Sequence, residues 1–172
     1  MIIKFIGSII IIITTTALGM VYAKSKVDRV KQINSFISAF NMLEIEIKFA
    51  LSLLPDAFIK IAKSSDKKIG EIFEYAANKI VECKINACEA WSEAINKKLP
   101  DLCLANDDKD ILVTLGSSLG EIDGESQIKN IRLIVERLKN QMTKAEEDKQ
   151  KSEKLFKNLG ILSGLTIVIV LF

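Results

Sequence analysis

Hydrophobic positions fall into two patterns along this chain. Ile2 to Val21 and Leu159 to Phe172 are apolar almost without interruption. Between them apolar residues recur three and four apart, the period of an amphipathic helix rather than of a strand. Ile33, Phe36, Ile37, Phe40, Leu43 and Ile47 form the first stripe, and no Pro or Gly lies between Val21 and Leu54. One helix is therefore expected to run unbroken out of the first apolar stretch. Pro55 suits the first turn of a second helix burying Phe58, Ile61 and Ala62, and Ser64 to Lys68 reads as a polar loop. Ile69, Ile72, Phe73, Ala76, Ile80 and Val81 mark a third helix. Ala87, Ala90, Trp91, Ala94 and Ile95 mark a fourth, stopped before Pro100.

Asn106 is placed to cap a fifth helix, with Asp107, Asp108 and Asp110 near its positive end. Its stripe is Ile111, Leu112, Leu115 and Leu119, and Gly120 suits the left-handed residue that ends it. Asp123, with Glu125 in the following turn, has the position of an N-cap for a sixth helix. From Glu125 to Leu159 nothing breaks that helix; Ile128, Ile131, Ile134, Val135, Leu138 and Met142 supply its packed face. Ala145 to Lys154 then turns almost wholly charged, the pattern of a solvated stalk held by i,i+4 pairs.

The fold class expected is all-α: a six-helix bundle whose first and last helices continue into N-terminal and C-terminal transmembrane helices. The organisation is an anchor over 1–23, a bundle domain over 24–157 with its stalk near 145–157, and a second anchor over 158–172. About 20 helical residues span a hydrocarbon core of roughly 30 Å. The second stretch is shorter and needs Leu155 and Phe156, with Lys157 reaching back to the headgroups. Gly160 and Gly164, with Ser163 beside them, let another helix approach closely in lipid. A cleavable signal peptide is the alternative for the first stretch. Lys4 would be its basic start and Val21-Tyr22-Ala23 its cleavage site, giving an exported bundle held by its tail. Lys24, Lys26, Arg29 and Lys31 follow the first stretch, and Lys144, Lys149, Lys151, Lys154 and Lys157 precede the end of the second. By the positive-inside rule the bundle then faces the cytoplasm.

Charge and composition narrow the chemistry. Lys and Arg number 24 against 22 Asp and Glu, a balance that gives no support for a nucleic-acid partner. There is no His, which removes the commonest general base and metal ligand. Cys83, Cys88 and Cys103 are three, so they cannot all pair within the chain; free buried thiols in a reducing compartment are expected. Phosphate loops of the GxxxxGK[ST] or GxGxxG type are absent from the sequence. The acidic pairs Glu44/Glu46 and Glu146/Glu147 do not share a helix face and are expected to be solvated. Asp107, Asp108 and Asp110 suit capping better than a cation loop. Trp91 reads as a core anchor. No enzymatic activity, cofactor or metal is expected. A lytic or transfer enzyme using acidic residues is the reading least supported.

Four segments in order resemble one family. They are Leu43-Glu44-Ile45-Glu46-Ile47 followed by Leu54-Pro55-Asp56-Ala57-Phe58; Glu89-Ala90-Trp91 with Ala94; Leu115-Gly116 through Leu119-Gly120 with Asp123 and Gln127; and Lys157-Asn158-Leu159-Gly160-Ile161-Leu162-Ser163-Gly164-Leu165. They are similar to the LExEI…LPxAF, AW, LGxxLGxxDxxxQ and K-x-L-G-x-L-S-G-L stretches of the stage III sporulation protein AB family of endospore-forming bacteria. Cys103 and the acidic run after it depart from that pattern. The resemblance implies a subunit of the channel complex between mother cell and forespore. It would be a multi-pass protein of the mother-cell membrane around the forespore. Its partners would be other stage III channel proteins, a cytoplasmic ATPase among them, with lipid around it and homo-oligomers open. The family is similar to the inner-membrane platform protein of type II secretion. Interaction candidates implied in this way are Glu44, Glu46, Pro55, Trp91, Leu115, Gly116, Leu119, Gly120, Asp123 and Gln127.

Overall fold

A computed structural model describes the backbone of residues 2–50, 52–117, 119–120 and 123–171, and side-chain surroundings for 13–14, 19–50, 52–117, 119–120 and 123–155. The described residues form six α-helices and no strand: α1 (Ile2–Ile45), α2 (Leu54–Ser64), α3 (Lys67–Cys83), α4 (Ala87–Lys98), α5 (Asn106–Gly116) and α6 (Gly124–Leu171). The all-α, six-helix expectation holds. The chain divides into two compact units, Arg29–Thr143 and the pair of segments Met1–Asp28 and Lys144–Phe172.

In the first unit α2 packs on α3, α3 on α4 and α4 on α5. The core is aromatic at its centre. Phe40 of α1, Phe58 of α2, Phe73 of α3 and Trp91 of α4 are fully buried, and the Trp91 ring lies 5.2–6.0 Å from the other three. Large buried rings at tilted and edge geometries contribute both area and pairwise attraction, so four helices meet on one cluster. Trp91 Nε1 donates to the Leu112 carbonyl at 2.8 Å, which satisfies the indole and ties in α5. Outside the core, Tyr75 and Lys79 of α3 both reach Glu93 of α4, at 2.7 and 2.8 Å.

Several boundaries differ from the expectation. The first helix does not continue unbroken to Leu54; it widens into a π-helical turn over Glu46–Ala50. The Ser52 amide donates to the Glu46 carbonyl at 3.4 Å, and the Ser52 hydroxyl to the Glu46 carboxylate at 2.7 Å, so the wide turn is closed by its own side chains. The polar loop expected at Ser64 to Lys68 shrinks to Ser65 and Asp66. Gly70 donates to the Asp66 carbonyl at 2.7 Å, which starts α3 early. Ile80 and Val81 were expected inside. Val81 is 64% exposed, because the last turn of α3 is solvated with Glu82 and Cys83. Asn106 is the first residue of α5 rather than its cap; Ala105 holds the cap position and its amide donates to Asp108 at 2.9 Å. α5 ends at Gly116, not at Leu119, which a tight turn (amide to the Gly116 carbonyl, 3.1 Å) still buries.

Two charge assignments also change. Arg29 is not a free surface cation. It is 8% exposed and forks onto fully buried Asp108, Nε to Oδ2 at 2.8 Å and a second guanidinium nitrogen to Oδ1 at 3.0 Å. The thiols are free as expected, but Cys83 is exposed and Cys88 and Cys103 are half-buried.

In the second unit both segments are helical, as the outer parts of α1 and α6. The stalk residues Glu146 and Glu147 are exposed, with i,i+4 pairs Glu147–Lys151 and Lys149–Glu153 at 3.9 Å each. Ala145 and Ser152 are buried. Among the described residues no helix is long and apolar enough to cross a membrane. The transmembrane expectation for 1–23 and 158–172, and the packing roles of Gly160, Ser163 and Gly164, fall largely on side chains outside the described residues.

Candidate interaction site

Most interaction candidates converge on the junction of α4, α5 and the segment leading to α6. Trp91 sits in the middle of α4 with its ring fully buried. Leu115 and Leu119 are buried beside the end of α5. Gly116 packs directly on the tryptophan: a Cβ there would lie 3.0 Å from Trp91 Cδ1 and 3.3 Å from Ser92 Oγ. A side chain at 116 would therefore push α5 off α4. Gly120 has φ +80°, the left-handed region that favours glycine, and a Cβ there would meet Ala87 Cβ at 3.3 Å and Leu54 Cδ1 at 3.8 Å. The turn thus lies across the first residues of both α2 and α4.

Asp123 caps α6 as its position predicts. Its Oδ1 accepts from the amides of Glu125 and Ser126 at 3.0 Å each, and its Oδ2 from the Ser126 hydroxyl at 2.9 Å. The amide and hydroxyl of Ser126 hold this carboxyl below its ordinary range. One turn on, Gln127 is 6% exposed and its Nε2 finds no acceptor among the described residues. Pro55 stands at the start of α2 and is half-buried.

Glu44 and Glu46 are not the solvated pair expected. Each is half-buried and paired across the fold. Arg132 of α6 donates to Glu44 Oε1 at 2.6 and 2.9 Å. Lys60 of α2 reaches Glu46 at 2.6 Å, and this bond together with that of Ser52 holds the Glu46 carboxyl below its usual range. The two carboxylates therefore pin the end of α1 to α6 and to α2.

The arrangement is one of packing and pinning. Trp91, Leu115, Gly116, Leu119 and Gln127 are buried, so in this conformation they hold the bundle together. Gly120 and Asp123 are exposed. Two open surface hollows, of about 320 and 410 Å³, are bordered by Lys31, Ser64 and Asp66 and by Lys67, Glu71, Lys98 and Asp101. Sequence reasoning missed the Arg29–Asp108 pair, although the signal was present. Arg29 lies four residues before Ile33 and Asp108 four before Leu112, so each charge sits on an apolar stripe.

Comparison with known proteins then places the chain. A family profile described as stage III sporulation protein AB matches residues 4–172. The chain belongs to the stage III sporulation protein AB family. It is 30% identical over 168 residues to the stage III sporulation protein AB of Bacillus subtilis (strain 168), covering 98% of each chain. A solved structure of a stage III sporulation protein AB superposes with a TM-score of 0.68 at 27% identity, over 72% of this chain and 97% of that one. Two of the four segments that resemble the family, around Trp91 and from Leu115 to Gln127, build the junction just described.

Proposed function

We propose that this chain is a membrane platform or adaptor subunit of the mother cell–forespore channel complex needed for endospore formation. In this reading it couples a cytoplasmic ATPase to the membrane components. The observation that carries the reading is the family match, which runs through the helical bundle and both apolar ends. The bundle supports it chemically. Pairs such as Arg29–Asp108 and Arg132–Glu44 hold the bundle together. In this reading the chain is a passive, multiply anchored subunit with no catalytic or cofactor-binding role.

The anchors are the apolar ends of α1 and α6. Lys24, Lys26, Lys31, Lys144, Lys149, Lys151 and Lys154 keep the orientation argument intact without Arg29, and the bundle faces the mother-cell cytoplasm. Crosslinking in sporulating cells, followed by isolation of the full chain, tests the role. Channel proteins and an ATPase should be recovered with it. Recovery free of all of them would contradict the proposal. The pattern Val21-Tyr22-Ala23 favours one second reading, an exported bundle held by its tail. A mature protein beginning after Ala23, found by N-terminal sequencing, would establish that instead.

A further inference from the structure

The least explained surface of the bundle is the bend between α1 and α2. Phe49 and Leu53 are 71% and 73% exposed there, and Ile45 is 55% exposed. Their neighbours turn the other way: Leu43 is fully buried, Ile47 approaches Gly124, and Leu54 approaches Gly120. The outward set is therefore selected by the wide turn rather than left over from a frayed end. The turn is also clamped. Glu46 is held at once by Lys60 and by the Ser52 hydroxyl, and Lys60 reaches that hydroxyl at 3.3 Å. Three large apolar side chains flank this clamp, on the order of 300–400 Å² of apolar surface, the size of the largest patch on an ordinary monomer, which is often functional.

The charges beside the patch say what covers it. Glu44 and Glu46 are neutralised within the fold by Arg132 and Lys60. Lys48 has no acidic partner among the described residues, and its amine lies 4.9 Å from the centre of the Phe49 ring. The patch is apolar with one uncompensated cation on it. A second copy is a poor occupant. Two such patches face to face would bring Lys48 against Lys48, with no acidic group on either patch left to receive it. The bend also lies far from Arg29, where α1 begins its course through this unit, about 25 Å along the helix axis at 1.5 Å per residue.

We propose that the Glu46–Ala50 turn, with Ile45, Phe49 and Leu53, is the docking knob for a protein partner whose apolar groove carries a carboxylate rim that receives Lys48. The knob rests on the reading of this chain as an assembly subunit. The test uses the full chain in sporulating cells, with a photo-crosslinking benzoylphenylalanine at position 49 and, as a control, at Asn78 on the exposed face of α3. Adducts are then mapped by mass spectrometry. The expected result is an adduct from position 49 and none from position 78, mapping to an apolar segment flanked by Asp or Glu in a different protein. Lys48→Glu should lower its yield at least tenfold, with the helical circular dichroism of the purified chain unchanged. An adduct to a second copy, an adduct to lipid only, equal adducts from both positions, or a yield indifferent to Lys48→Glu would each overturn the proposal. So would an absent adduct in cells where the unmodified chain still co-isolates with channel proteins; that outcome would leave the proposed function standing. Recovery of the chain free of channel proteins would sink the proposed function instead, and the adduct from position 49 would still decide the knob.

Discussion

Removing Asp108 should unfold the bundle more readily than any surface change. Its carboxylate is fully buried, and it is engaged three times: twice by the Arg29 guanidinium, at 2.8 and 3.0 Å, and once by the Ala105 amide at 2.9 Å. Asp108→Ala takes a buried carboxylate away from the 8% exposed Arg29, and orphans the amide that starts α5. Breaking one side of a buried pair costs about 3–5 kcal/mol. For a chain of this size each kcal/mol is worth about 2–4 °C, so the melting temperature should fall by about 6–20 °C. The origin of that loss is distinctive. Much of it is the loss of a counter-charge at a buried site, not the value of the pair in itself. Arg29→Met combined with Asp108→Leu removes both charges and should return to within about 2 kcal/mol of the parent, with the Ala105 amide left unmatched. Thermal unfolding of the detergent-solubilised full chain, followed by circular dichroism at 222 nm, gives all four corners of the cycle. Strongly non-additive effects are expected. A loss under about 1 kcal/mol for Asp108→Ala, or a double variant as weak as the sum of the singles, would refute the reasoning.

Other predictions concern smaller effects. Glu46, Glu71, Glu93 and Asp123 all titrate below their ordinary values of 4.5 and 3.8, the three glutamates through lysine partners and Asp123 through the Ser126 amide and hydroxyl. Their contribution is complete above those ordinary values and is lost as pH falls through the lower, folded ones. The melting temperature should therefore be flat from neutral pH to about 5 and decline below about 4; a decline beginning at pH 6 would mean other groups govern it. Gln127→Leu removes a buried amide nitrogen with no acceptor among the described residues and should be neutral or stabilising; a loss above about 1 kcal/mol would show that the amide has a partner. Asp123→Ala should lower the melting temperature by uncapping α6. An unchanged melting temperature with lost partner recovery would make it a contact residue. Gly164→Leu should weaken recovery of the complex while leaving the bundle folded, and normal recovery would show that small residues at 160 and 164 are not packed against another helix.

What was legible in the sequence was whatever rests on period three-to-four spacing and on breakers. Phe36, Phe40, Phe58, Phe73, Trp91 and Leu112 follow stripes, and all are fully buried. Pro55 and Asp123 mark helix starts by local chemistry, and those starts are where they stand. Less legible were features set by contacts distant in sequence. Glu44 finds Arg132 across 88 residues, and nothing in the local pattern of either announces it. Arg29 was read with its lysine neighbours because charge alone was considered; its place on the stripe argued otherwise, and the partner 79 residues away explains why it can be buried. The wide turn at Glu46 depends on Ser52 and Lys60 closing around one carboxylate, a geometry that helical propensity does not encode. That turn is also what exposes Phe49, so the surface feature most open to a partner came from tertiary structure.

The claim that the bundle faces the mother-cell cytoplasm between two membrane-crossing helices is tested most directly at Cys83. This thiol is exposed in the fold, so its labelling reports access across the membrane rather than burial. In a chain keeping Cys83 with Cys88→Ser and Cys103→Ser, produced in vegetative cells so that the far side of its membrane meets the medium, a membrane-impermeant maleimide should leave intact protoplasts unlabelled and should label the protein fully after permeabilisation. Labelling of Cys83 in intact protoplasts would contradict the account.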